Sequence, residues 1–103
     1  MWAQIIKTRI NPGKDVALAG IHEQLRAIEQ LDSGLLRTTV MRDQNDPDVI
    51  YTMVVFESEE KARAREQDPR RREGLQAVNA AMTGLLDGPP EFVDLTVVEE
   101  TSR

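Results

Sequence analysis

Val49-Ile-Tyr-Thr-Met-Val-Val-Phe-Glu57, followed by Ser58-Glu-Glu-Lys-Ala-Arg-Ala-Arg-Glu66 and a break at Asp68-Pro69, is the stretch whose reading decides the fold. Its first eight residues are largely β-branched or aromatic and carry no charge, which is strand chemistry. Tyr51, Met53 and Val55 alternate with Ile50, Val54 and Phe56, so both faces are apolar. A strand with one wet face alternates apolar with polar, and this one therefore reads as covered on both sides. The charged run behind it reads as a short helix starting at Ser58. Pro69 falls in the first turn of a second helical piece.

Outward from there, Leu35-Leu-Arg-Thr-Thr-Val-Met-Arg42 is a second strand, joined through the polar hairpin loop Asp43-Gln-Asn-Asp-Pro-Asp48. That loop lacks the glycine and the distal glutamate of an EF-hand, so it reads as a turn and not as a calcium site. Trp2-Ala-Gln-Ile-Ile-Lys-Thr-Arg-Ile10 is the first strand, stopped at Asn11-Pro12-Gly13. From about Lys14 the apolar period turns helical, with Leu18, Ile21, Leu25 and Ile28 on one stripe, and Asp32-Ser33-Gly34 closes the helix. Leu75, Val78, Met82 and Leu85 make the stripe of the last helix, and Asp87-Gly-Pro-Pro90 ends it. Phe92-Val-Asp-Leu-Thr-Val-Val98 is the last strand, with a polar tail from Glu99. The order β-α-β-β-α-β predicts an α+β, ferredoxin-like fold, a four-stranded antiparallel sheet with its helices on one face.

The 103 residues, 40% hydrophobic and 30% charged, amount to one globular domain spanning 1–103. No apolar run is long enough to span a bilayer, and no charged-then-apolar leader opens the chain, so no membrane partner and a cytoplasmic default are expected. Absence of cysteine excludes disulfides and thiolate chemistry, and a single histidine, His22, argues against a structural metal site. The net charge of −5 speaks against nucleic acid as a partner. Arg70-Arg71-Arg72 is flanked by Glu66, Asp68 and Glu73 and reads as a solvated helix start.

Choosing the more apolar set in each strand puts Ala3, Ile5, Leu36, Val40, Ile50, Val54, Phe56, Val93, Leu95 and Val97 beneath the helices. Gln4, Ile6, Thr8, Arg37, Thr39, Met41, Tyr51, Met53, Val55, Phe92, Asp94 and Thr96 then share the opposite face. That face is too apolar to stay bare, and one helix layer cannot cover both sides, so a homodimer with facing sheets is expected. Space between two such sheets would form a small-molecule site with Gln4, Arg37, Thr39, Tyr51 and Asp94 as polar groups and Met41 and Met53 as adaptable walls. The alternative is a dry dimer core with Arg37 and Asp94 paired across it.

Tyr51-Thr-Met-Val-Val-Phe-Glu57-Ser-Glu-Glu-Lys-Ala62, Asp68-Pro69, the strand after Gly88-Pro-Pro90 and the opening strand ending in Asn11-Pro12-Gly13-Lys14 resemble the antibiotic biosynthesis monooxygenase-like group of the dimeric α/β-barrel superfamily. The resemblance implies a homodimer with facing sheets and cofactor-independent oxygenation of a phenol or quinol, with haem breakdown as the variant that would need haem. Oxygenase members commonly carry a barrel asparagine, a tryptophan after the third strand's glutamate and a histidine on the next helix. Here Ile6 stands where such an asparagine would sit, and residues 58–66 hold neither tryptophan nor histidine, so no catalytic residue carries over.

The remaining candidates for chemistry are Tyr51, whose phenol would need a cation such as Arg37 to ionise, and His22, as a base or haem ligand or simply a partly exposed helix residue. Two functions follow, an oxygenase acting on an aromatic compound or a non-catalytic dimer that binds a small molecule. RNA binding on the sheet needs more aromatics and a basic surface.

Overall fold

The computed structural model describes residues 1–102. Its elements are β1 (Trp2–Arg9), α1 (Asp15–Ile28), β2 (Leu35–Arg42), β3 (Val49–Phe56), α2 (Glu59–Gln67), α3 (Pro69–Met82) and β4 (Glu91–Thr96). All strand pairs are antiparallel in the order β2-β3-β1-β4. This is the ferredoxin-like α+β arrangement, an open sheet with β2 and β4 as its edges and β3 inside.

Local chemistry sets the boundaries. The Asp43 carboxylate accepts the backbone amides of Asn45 and Asp46 and turns the chain from β2 into β3. The Ser58 hydroxyl accepts the Lys61 amide and starts α2. Asp68 closes α2 and, by accepting the Arg70 amide with Pro69 next in line, opens α3. The stripe expected to run to Leu85 stops at Met82. Leu85 is buried in the turn beyond, where Leu86 bridges to Ile10.

The core falls into two clusters. At one end of the sheet Ile10, Ile21, Ile50, Val78 and Leu85 pack together, with Leu18, Leu25, Leu75 and Met82 against them. At the other, Trp2, Val54, Phe56 and Ala62 pack with Leu35. The guanidinium of Arg63 lies 5.1 Å from the Trp2 ring centre and that of Arg65 5.1 Å from Phe56, closing this end with cations over aromatic faces.

The register corrects the assignment of faces. Trp2 pairs with Phe56, Gln4 with Val54 and Asp94, and Ile6 with Thr52 and Phe92, so Gln4, Ile6, Thr8, Phe92, Asp94 and Thr96 lie on the helix side. Ala3, Ile5, Val93 and Leu95 lie on the outer side with Tyr51, Met53 and Val55. The phase of β1 is set by Trp2 and the following Ile10, both buried among helix residues, and not by the apolar middle of the strand. In β2 an irregularity between Leu35 and Arg37 breaks the alternation. It puts Leu35, not Leu36, against the core and leaves Val40 on the helix side as expected. The last strand ends at Thr96, so Val97 and Val98 lie outside it.

Candidate functional site

Between the two core clusters the helix side of the sheet presents two cross-strand rows, Phe92–Ile6–Thr52–Val40 and Asp94–Gln4–Val54–Thr38. Within them Thr52, Gln4, Thr38 and Asp94 stand where large apolar side chains would have joined the clusters. A cavity of about 840 Å³ remains above them, roofed by Leu18 and Leu25 of α1 and Leu75 and Met82 of α3. An apolar concavity with a few polar groups is the usual form of a small-molecule site.

Its polar groups are well separated. Gln4, Thr8, Thr38 and Thr52 lie on the floor, and His22 and Arg26 come from α1. His22 is half-buried. Burial pushes its imidazole below the usual pKa, and the Arg26 charge one turn along pushes the same way. The ring is thus neutral at pH 7 and able to accept a proton. At the far end, where α1 stops and α2 meets α3, stand Glu29, Arg65 and Arg71. Burial raises the Glu29 carboxyl, but hydrogen bonds from Arg65 and Ser33 and the charges of Arg65 and Arg71 outweigh it, and its pKa lies below the usual value.

The residues expected to form a site divide between the two faces. Gln4 and His22 line the cavity. Asp94 is on the same side of the sheet, at the edge strand, and accepts from Gln4 Nε2 and from an Arg63 amino group, each at 2.9 Å. These two bonds hold its carboxyl below the usual pKa. Arg37, Thr39, Met41, Tyr51 and Met53 share the outer face, away from the cavity. There Lys7 lies 6.0 Å from the Tyr51 ring centre, and Arg37 pairs with Glu100 of the tail at 2.5 Å, not with Asp94.

Arg71, read from the sequence as part of a solvated helix start, is instead largely buried, and it had a signal. It precedes Leu75, Val78 and Met82 at helical spacing and extends their stripe by one turn, while Arg70 and Arg72 are exposed and bonded to Asp68 and Gln67. The other signal was Thr52, a small polar residue inside an otherwise apolar strand. Among the described residues no three or more His, Asp or Glu side chains group as metal ligands, and no helix is long and apolar enough to cross a membrane.

The sequence profile of the antibiotic biosynthesis monooxygenase family matches residues 1–77. The chain belongs to that family. Its fold recurs in solved structures of low identity. A candidate antibiotic biosynthesis monooxygenase from Chloroflexus aurantiacus J-10-fl is 24% identical with a TM-score of 0.71, over 98% of this chain and 96% of its own. Another from Caulobacter crescentus CB15 is 18% identical with a TM-score of 0.76, over 95% and 90%. SnoaB from Streptomyces nogalater, a cofactor-independent oxygenase solved as an asparagine-to-alanine mutant, is 13% identical with a TM-score of 0.74, over 99% and 97%. At these identities the likeness to each member is one of fold. No curated protein matches the chain.

Proposed function

We propose that this protein is a homodimeric, cofactor-independent oxygenase that takes an aromatic phenol or quinol into the cavity between helices and sheet. The cavity carries the reading: it is large enough for a ring system, mostly apolar, and contains the chain's one imidazole, His22, in its neutral form. His22 takes the phenolic proton, and the electron-rich ring so formed is oxidised by O2. One oxygen atom enters the ring and the other leaves as water, with the substrate supplying the electrons. A positioned base contributes a factor of about a hundred or more in rate. Membership of the family and the SnoaB-like fold support the same chemistry.

The test is turnover of a hydroquinone panel under oxygen, followed by absorbance. His22→Gln is expected to lose about a hundred-fold in rate, whereas Tyr51→Phe, on the outer face, is expected to change nothing. Tight binding without product would replace the oxygenase with a small-molecule binder. Because His22 is also the residue able to face a haem iron, a haem titration belongs beside the panel. A Soret shift lost in His22→Gln would reassign the cavity to haem.

A further inference from the structure

At the junction of the three helices, Glu29 accepts a forked pair of hydrogen bonds from Arg65, 2.9 Å from Nε and 2.6 Å from Nη2. Arg71 approaches from α3 with Nη1 3.7 Å from Glu29 Oε1, near enough to feel its charge and too far to donate to it. That Nη1 is buried and has no hydrogen-bond partner among the described residues. Two guanidiniums face the Glu29 carboxylate, and only Arg65 donates to it. Glu66 also lines the cavity, but Arg63 donates to it at 3.3 Å. Burial disfavours the charge on Arg71 and neighbouring Arg65 adds to this, with Glu29 and Glu66 only offsetting it. A buried donor without an acceptor carries a desolvation cost that an incoming oxygen would remove.

Arg65 and Arg71 both line the cavity, whose nearby wall is Leu75. The geometry points to a ligand that is an apolar ring system bearing one anionic oxygen, carboxylate or phenolate, which accepts from the Arg71 guanidinium. One guanidinium lacking an acceptor and the apolar walls match one such group and not a phosphate dianion. This inference rests on the cavity being the binding site and adds the polarity and orientation of what enters it.

Two aromatic fluorophores test it, anilinonaphthalene sulfonate and its uncharged parent phenylnaphthylamine, which differ only in the anionic group. The unaltered protein is expected to bind the sulfonate at least about ten-fold more tightly, the size of one charge-assisted hydrogen bond. Arg71→Gln should bring the two to parity while leaving the parent's affinity unchanged, and Arg72→Gln, on the exposed side of the same helix, should keep the preference. A preference that survives Arg71→Gln, or none in the unaltered protein while the parent still binds, overturns the anion site and leaves the cavity standing. Failure of both probes to bind removes the cavity reading and this one with it. The comparison in the unaltered protein decides the matter even where Arg71→Gln does not fold.

Discussion

Gly74 lies where a methyl group has no room: a Cβ there would stand 2.7 Å from Ile28 Cγ2 and 3.0 Å from Ile28 Cβ, across the contact of α3 with α1. Alanine would gain up to about 1 kcal/mol in helix propensity. Forcing the helices apart costs about 1–3 kcal/mol. Since the nearest atoms include the branched Cβ and not a flexible end, Gly74→Ala is expected to lose about 1 kcal/mol net in denaturant unfolding. His22 makes its own prediction. Its folded pKa is below the unfolded value of about 6.5, so between the two the unfolded chain holds more protons and stability rises with pH. The stabilisation is complete above the unfolded pKa and is lost as pH falls through the folded one. Melting temperatures of the unaltered protein should therefore climb from pH 5 to pH 7, and those of His22→Gln should climb less.

At the scale of the element, α2 has nine residues and buries only Ala62, too little to hold a helix of that length by itself. Its start depends on the Ser58 hydroxyl on the Lys61 amide at 3.1 Å. Ser58→Ala is expected to cost about 1 kcal/mol and to speed amide exchange in residues 59–67 more than in α3. Such caps were legible in the sequence, as were the order of the strands and both faces of β3, because turn residues and uninterrupted β-branched runs act locally. The face of β1 was not. Ile5 and Ile6 are adjacent and equally apolar, and only Trp2 and Ile10 at the ends break the tie. In β4 the rule that the greasier face lies under the helices fails outright. Val93 and Leu95 point away from them while Asp94 faces Arg63 of α2. The error of phase in β1 and β4 misplaced Gln4 and Asp94, which lie on the helix side, whereas Arg37, Thr39, Met41, Tyr51 and Met53 lie on the outer face as expected, away from the cavity.

For the molecule as a whole, the corrected register makes the outer face more apolar, not less. Val93, Ile5 and Met53 form one row and Leu95, Ala3 and Val55 the next. Ala3 and Val55 are 5% and 2% exposed although no helix lies on that side. The tail must cross the sheet's width here, since it leaves β4 at one edge and reaches Arg37 of β2 at the other through Glu100. Val93, 51% exposed, lies beyond that shelter, and a second copy of the sheet is the cover we propose. Its neighbour Phe92, 58% exposed, points the opposite way and lines the cavity. The pair therefore separates assembly from binding. Val93→Asp buries two carboxylates in a two-fold interface and should weaken the dimer at least about a hundred-fold, leaving ligand affinity in the protomer intact. Phe92→Asp should keep the dimer and lose the ligand. Light scattering at micromolar concentration reads the first effect and fluorophore titration the second. A unaltered protein that scatters as a monomer, with Val93→Asp indistinguishable from it, would remove the sheet-to-sheet dimer while leaving the cavity and its register in place.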